Sequence, residues 1–259
     1  MRKDSFPLEN KFQLAKDVIY EAGNFIKERM AGDFAIEEKS RFDDLVTDLD
    51  RDVQNLMIQK IGDRYPQDDF LGEENGVVSD ISKGNVWVLD PIDGTVNFIA
   101  QKHDFAVMIA YYEEGVGQFG LIYDVMADKL YSGGGLFPVT VNGKELTSFE
   151  DKPFNRSLIG VNSGMCIQNY RGIADFGQQT LGIRGIGSAG ISISRVLEGR
   201  FLAYFTHISP WDYAAGSIMG EKLGYTIRDF DGHSPDYKTR QELMFVPKAK
   251  LSEILHHLK

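Results

Sequence analysis

Hydrophobic periodicity changes twice along this 259-residue chain, and those changes restrict its fold more than any other feature. Between residues 11 and 30 the apolar positions Ala15, Val18, Ile19, Ala22, Phe25 and Ile26 recur at helical spacing, which predicts an amphipathic helix resting on a larger body. A second helix is predicted within 47–62 (TDLDRDVQNLMIQKIG), with Thr47 as N-cap and Asp50 three residues on. From residue 70 the texture turns to short β-rich runs, FLGEE, VWVLD, FAVMIAYY, GQFGLIYD and KLYSGGG. Their spacing suggests antiparallel meanders, and Val141-Asn142-Gly143-Lys144 reads as a tight hairpin turn. Beyond a polar stretch at 147–157 that contains Pro153, the runs alternate: SLIGVNS, SAGISISRVLEG, FLAYF, WDYAAGSIMGEKLG and LMFVP. Alternation of strand and helix argues for α/β organisation. The expected fold class is therefore α/β, with an α+β N-terminal domain over 1–148 and an α/β C-terminal domain over 149–259.

Composition narrows the function. The net charge is −10, which disfavours broad binding to a nucleic acid polymer or an anionic membrane, since both require a basic face. Cys166 is the sole cysteine, so no intrachain disulfide and no thiolate zinc site can form. The opening MRKDSFPLEN lacks an apolar segment after its basic residues, and no apolar run approaches the ~18 residues of a membrane span. A soluble cytoplasmic protein is expected.

The most informative stretch is Trp87-Val88-Leu89-Asp90-Pro91-Ile92-Asp93-Gly94-Thr95. An apolar strand delivers two carboxylates at its carboxyl end. Pro91 forces Asp90 into an extended conformation, so the chain is expected to turn just after it, aiming Asp90, the Ile92 carbonyl and Asp93 into one space. Gly94 removes a Cβ from the approach to the backbone, and a helix starting near Thr95 would offer free amides to an anion. Carboxylates this close repel each other unless a cation intervenes, and Mg²⁺ suits an all-oxygen donor set. D-P-x-D-G is equally good β-turn chemistry. Gly72-Glu73-Glu74 is a further acidic pair or a solvated strand end. Asp212, in Trp211-Asp212-Tyr213-Ala214-Ala215-Gly216, is a further ligand or a helix N-cap.

Gly185-Ile186-Gly187-Ser188-Ala189-Gly190 matches the G-x-G-x-x-G dinucleotide pattern. Its lead-in, Gly182-Ile183-Arg184, is weak as a strand, and no acid stands about 20 residues on, so a nicotinamide role is disfavoured. Amides at a helix N-terminus would still suit phosphate.

In order, GEE, WVLDPIDGTVNF, GSA and WDYAAG resemble the inositol monophosphatase family of metal-dependent phosphatases, from Lys39 to about Gly224. The resemblance implies a layered α/β/α/β/α sandwich of the inositol monophosphatase and fructose-1,6-bisphosphatase type. It also implies a homodimer and dependence on two or three Mg²⁺ ions, with Li⁺ as inhibitor. Position by position, Glu73, Asp90 and the Ile92 carbonyl would hold the first metal, and Asp90, Asp93 and Asp212 the second. Thr95 would pair with Asp50 to orient and deprotonate the attacking water, with Glu74 supporting that network. Asp50 retains a rival reading as the capping acid of T-x-x-D. The amides of Gly94 and Thr95 would grip phosphate. Gly187, Ser188 and Ala189, and more weakly Ser163, would line the substrate pocket together with Asp93 and Asp212. Lys39 would fall in the loop before Asp44-Leu45-Val46-Thr47.

Three departures bear on substrate. Animal members carry a glutamate that contacts ring hydroxyls shortly before the W-D block, whereas Ala203-Tyr204-Phe205-Thr206-His207 contains no carboxylate and the loop to Trp211 is one residue shorter. Ala100 replaces a usual basic or polar residue, and Asp104 a frequent proline. Phe205 or His207 would face a bulkier leaving group such as a nucleotide, or else Phe205 is strand core and His207 an exposed loop histidine. The resulting expectation is a phosphomonoesterase acting on a small soluble phosphate ester: inositol monophosphate, fructose 1,6-bisphosphate or the 2′-phosphate of NADP. A haloacid dehalogenase-type phosphatase would need D-x-D near the start of its core domain, and this chain has D-x-x-D after 89 residues. A non-enzymatic binding module would be expected to have lost a ligand or the water-orienting pair, and Glu73, Asp90, Asp93, Asp212, Thr95 and Asp50 are all present.

Overall fold

The computed structural model describes the chain from residue 7 to residue 258 except 31, 33–34, 39–44, 75 and 77. Lys39 and Asp44 lie outside the described residues. The first half comprises α1 (Pro7–Arg29), β1 (Ile36–Glu38), β2 (Leu45–Thr47), α2 (Asp48–Arg64), β3 (Asp69–Gly72), β4 (Asn85–Asp93) and α3 (Thr95–Gln101). It continues with β5 (Ala106–Glu113), β6 (Val116–Asp124), β7 (Lys129–Gly134), β8 (Phe137–Val141) and β9 (Lys144–Glu145). Strands β3 to β9 form one seven-stranded sheet in chain order. It is the expected meander apart from β3, which runs parallel to β4. Asn142 and Gly143 both have positive φ and join β8 to β9 as the two-residue hairpin anticipated.

The second half contains β10 (Leu158–Val161), α4 (Ser163–Ile167), α5 (Ile173–Gly177), β11 (Gly182–Arg184), α6 (Ala189–Leu197), β12 (Ala203–Ile208) and α7 (Pro210–Leu223). It ends with β13 (Tyr225–Asp229), β14 (Gln241–Pro247) and α8 (Leu251–His257). Its five-stranded sheet is ordered β11-β10-β12-β14-β13, mixed in direction. Gly182–Arg184 is thus a short strand parallel to β10, contrary to the weak lead-in read from sequence, because pairing with Leu158–Gly160 supplies what its own composition does not.

Strand periodicity sorts the core into layers. On β5, Val107, Ile109 and Tyr111 face Val18, Ile19 and Ala22 of α1 and Val53 and Met57 of α2. Met108, Ala110 and Tyr112 face the opposite way, against Ile191 and Ile193 of α6 and Tyr213, Ala214 and Ile218 of α7. A sheet covered on both faces needs apolar residues throughout, which is why these strands read as continuous apolar runs. The second sheet covers the other side of α6 and α7 with Tyr204, Ile227 and Phe245. It turns Ala203, Phe205 and Met244 outward to Met165, Phe176 and Ile254 of α4, α5 and α8. The order is helix, sheet, helix, sheet, helix, the layered α/β/α/β/α sandwich.

Helix α7 lies unusually close to the first sheet. A Cβ on Gly120 of β6 would come within 2.2 Å of the Ala215 carbonyl oxygen, so only a bare strand position admits the helix backbone there. Among the described residues no helix is long and apolar enough to cross a membrane.

Candidate metal centre and active-site cleft

The centre begins where β4 departs from regular pairing. Asp90 is paired with Met108 and Asp93 with Ala106, so three steps on β4 oppose two on β5. In a regular strand residues three apart point to opposite faces; one extra residue brings them to the same side. The expected turn after Asp90 is therefore a bulge, and β4 continues through Pro91 to Asp93. Proline is tolerated there because a bulged position has no ladder hydrogen bond to lose. Gly94 follows at φ 92° as the N-cap of α3, and a Cβ there would stand 2.9 Å from the Ser188 Cβ. Glycine meets both demands.

Asp212 arrives from the other half of the chain. It is the third residue of α7, and its Oδ2 accepts from the Ser209 amide at 2.7 Å. The N-cap is therefore Ser209, with Asp212 as the acid of its capping box rather than the cap expected from sequence, and one carboxylate oxygen per residue of Asp90, Asp93 and Asp212 lies within 4.8 Å of the others. Asp93 is anchored by α6: its Oδ1 accepts from the Ala189 amide at 2.9 Å, and its Oδ2 accepts from the Gly190 amide at 2.8 Å and from the Ser188 hydroxyl. The glycine-rich segment thus aims its helix N-terminus at a carboxylate of the same chain, and Ser188 is spent on Asp93 and on capping Ile191.

Asp90 differs from both. It is 1% exposed, and neither of its oxygens has a hydrogen-bond partner. Burial, reinforced by the charges of Glu73, Asp93 and Asp212, raises its carboxyl well above the usual range. Burial, then Asp93 and Glu73, pushes Asp212 up to about 8. Burial also raises Asp93 despite its three donors. Glu73, half-buried after β3, belongs to the same electrostatic group through these couplings. A buried carboxylate without donors, beside three more acids, is a strong oxygen-donor set for a hard divalent cation. The residues fit Mg²⁺.

Next to it stands a hydroxyl–carboxylate pair. Asp50 is fully buried in the first turn of α2; its Oδ2 accepts from the Thr47 amide at 2.9 Å and from the Thr47 hydroxyl. Its Oδ1 lies 3.1 Å from Thr95 Oγ1, which is also 3.1 Å from the Ile92 carbonyl. Asp50 therefore caps α2 with one oxygen and meets Thr95 with the other. Burial raises its carboxyl, and the nearby Glu74 charge adds to the rise against the hydrogen bonds from Thr47 and Thr95.

Sequence reasoning missed two supports. Gln54, one helical turn past Asp50, donates from Nε2 to the Glu74 carbonyl at 2.7 Å and accepts from its amide at 2.8 Å. The signal was a glutamine at i+4 on the buried face of α2. Asn97 donates from Nδ2 to the carbonyls of Asp104 and Ile186, both at 2.8 Å, tying α3 to the loop before α6. No signal in the sequence marked it.

A cleft of about 650 Å³ opens beside the acids, lined by Asp93 and Asp212 and by Ser163, Gly187 and Ala189 among others. Phe205 faces away into the outer core, whereas His207 lies in β12, half-buried and on the cleft wall, rather than in an exposed loop.

The family model described as the inositol monophosphatase family matches residues 8–259. The chain belongs to the inositol monophosphatase family. Members of the family are phosphatases that hydrolyse phosphate monoesters. The chain is 36% identical to the inositol-1-monophosphatase of Bacillus subtilis (strain 168), over 95% of this chain and 97% of that one. It is 31% identical to a fructose-1,6-bisphosphatase/inositol-1-monophosphatase of Thermotoga maritima over 76% of each. Among solved structures, an IMPase/NADP phosphatase complexed with Mg²⁺ and phosphate superposes with a TM-score of 0.89 at 25% identity, covering 96% of this chain and 95% of that one.

Proposed function

We propose that this family member hydrolyses a small soluble phosphate monoester with Mg²⁺ held by Glu73, Asp90, the Ile92 carbonyl, Asp93 and Asp212. The observation that carries the reading is the buried Asp90 carboxylate without a hydrogen-bond donor, facing Asp93 and Asp212. When bound, the ions neutralise charge on the phosphate oxygens and make water a competent nucleophile near neutral pH. The chain's own residues do the rest. Thr95 Oγ1 directs its proton to Asp50 Oδ1, leaving a lone pair to accept a hydrogen bond from the attacking water. Asp50, raised by burial, is suited to take up a proton. Glu74, held through its backbone by Gln54, supports this network. The opening amides of α3, from Gly94 and Thr95 onward, point at the phosphate. Ser163, Gly187 and Ala189 shape the wall against which the leaving group lies; Ser188 acts indirectly, by fixing Asp93.

The division of labour follows the two halves, 1–148 supplying most ligands and 149–259 supplying Asp212 and the pocket. Li⁺ inhibition, a homodimer and a cytoplasmic location complete the reading, supported by the family resemblance and the acidic, single-cysteine composition. The test is p-nitrophenyl phosphate turnover with Mg²⁺, with EDTA, and in Asp93→Asn. Activity that needs Mg²⁺ and collapses in the variant is expected; activity surviving both EDTA and the substitution refutes the assignment.

A further inference from the structure

Asp93 is held from two sides. From α6 come the Ser188 hydroxyl and the amides of Ala189 and Gly190. From β5 comes Ala106, its partner across the bulge. The backbone just ahead of each support is fastened by one side chain, Asn97 of α3. Its Nδ2 donates to the Ile186 carbonyl, two residues before Ser188, and to the Asp104 carbonyl, two residues before Ala106, both at 2.8 Å. A primary amide nitrogen carries two N–H donors, so both are spent, and turning the group over would set its oxygen against two carbonyls. The surrounding backbone is shaped to this tie. Gly187 has φ 88°, and a Cβ there would stand 2.8 Å from Asn97 Oδ1. A Cβ on Gly94 would lie 3.4 Å from the carbonyl oxygens of both Asp104 and Gly187, so the two fastened segments converge over the link between Asp93 and Asn97. Asp104 turns its carbonyl back toward α3 with φ 54°. That conformation is closed to a proline, whose φ is fixed at about −65°.

We propose that Asn97 is a positioning residue for Mg²⁺ binding: by fastening the Ile186 and Asp104 carbonyls it keeps Asp93 aligned with Asp90 and Asp212. It acts through Asp93 rather than on the reacting atoms. The three donors from α6 and the ladder partner on β5 belong to different halves of the chain, and each follows a turn that could shift independently of the other. Asn97 locks the two turns to each other and to α3, which begins two residues after Asp93. Without its amide the supports of Asp93 no longer share one frame, and the carboxylate loses its fixed direction toward the other two acids. The groups that orient a metal ligand govern affinity almost as strongly as the ligand itself. The inference rests on the metal-dependent phosphatase reading above and adds a residue that sets its Mg²⁺ affinity.

The experiment titrates Mg²⁺ by calorimetry into metal-free wild type, Asn97→Ala and Asn97→Ser, with melts in EDTA and p-nitrophenyl phosphate kinetics on the same samples. Partners of a metal ligand contribute about 10–100-fold to affinity, and Asn97→Ala should raise the Mg²⁺ Kd by about tenfold. Asn97→Ser, able to hold one carbonyl at most, should raise it less. Saturating Mg²⁺ should restore most of kcat with KM unchanged. Ser188→Ala removes a donor from Asp93 directly, so the double variant should raise Kd by less than the product of the single effects; a full product overturns the coupling through Asp93. A lower Tm in EDTA with wild-type Mg²⁺ affinity makes the tie structural only and overturns the proposal. So does a raised KM at saturating Mg²⁺ with unaltered Mg²⁺ affinity, which makes Asn97 a substrate contact, and so does loss of cooperative melting in both Asn97 variants. Each of these results leaves the phosphatase reading standing. A wild-type chain that binds no Mg²⁺ overturns that reading and this inference together.

Discussion

Replacing Asp90 by asparagine should separate the energetic role of its carboxylate from its shape. Without metal, the carboxylate is a liability: burial and three neighbouring acids raise it, so the folded chain binds more protons than the unfolded chain once the pH exceeds the ordinary aspartate range. The slope of unfolding free energy with pH is then negative, and metal-free stability should fall as pH rises from about 4 toward 8, the window set by the ordinary aspartate value and the value of about 8 for Asp212. Carboxylate oxygens within 4.8 Å, if fully ionised at an effective dielectric constant of 20, repel by roughly 3–4 kcal/mol per pair. Partial protonation trims this, so Asp90→Asn should stabilise the metal-free protein by about 1–3 kcal/mol at pH 8. Mg²⁺ acts in the opposite sense. At a hundred times its dissociation constant a single ion adds about 2.7 kcal/mol, or roughly 5–11 °C in Tm for a chain of this size. Thermal melts of wild type and Asp90→Asn at pH 6, 7 and 8, each with EDTA and with Mg²⁺, read all of this out. The wild type should gain its shift with Mg²⁺ and the variant should lose most of it while melting higher in EDTA. A variant with an undiminished Mg²⁺ shift, or a metal-free wild type that gains stability from pH 6 to 8, refutes the reasoning.

Thr95→Ala and Asp50→Asn should each lower kcat by about 10²–10⁴ with little change in KM, and the double variant should lose little more, since the two act as one unit; steady-state kinetics of the three variants measure the coupling. Gln54→Ala strips the Glu74 amide and carbonyl of their buried partner, which should cost about 1–3 kcal/mol in denaturant unfolding and weaken Mg²⁺ binding in calorimetry through displacement of Glu73 and Glu74.

Much of this was legible in the chain because the signals were local. The i, i+3, i+4 spacing from Ala15 to Ile26 announces α1, T-x-x-D announces the start of α2, and Asn142-Gly143 announces its hairpin. Short-range chemistry failed where pairing decides the outcome. Asp90-Pro91-Ile92-Asp93-Gly94 has the composition of a turn, and only registry against Met108 and Ala106 makes it a bulge. Gly182–Arg184 is a strand because β10 lies beside it. The amides after Gly187 were legible as anion binders, but no local signal says that the anion is Asp93, ninety-odd residues upstream. Asp50 and Asp212 each allowed two readings from sequence; in the fold Asp50 caps α2 with one oxygen and meets Thr95 with the other, and Asp212 is the acid of a capping box while standing beside Asp90 and Asp93.

The seating of α7 on Gly120 reaches beyond packing. Asp212 takes its place from a helix whose backbone touches bare strand, and that strand belongs to the sheet that also presents Asp90 and Asp93. A methyl group added at Gly120 would press on the helix backbone at Ala215, one turn from Asp212, wedge the helix outward and take one carboxylate away from the other two. The geometry of the proposed metal centre is thereby tied to a position that carries no side chain at all, and routine stabilisation of strands by replacing glycine would disturb it.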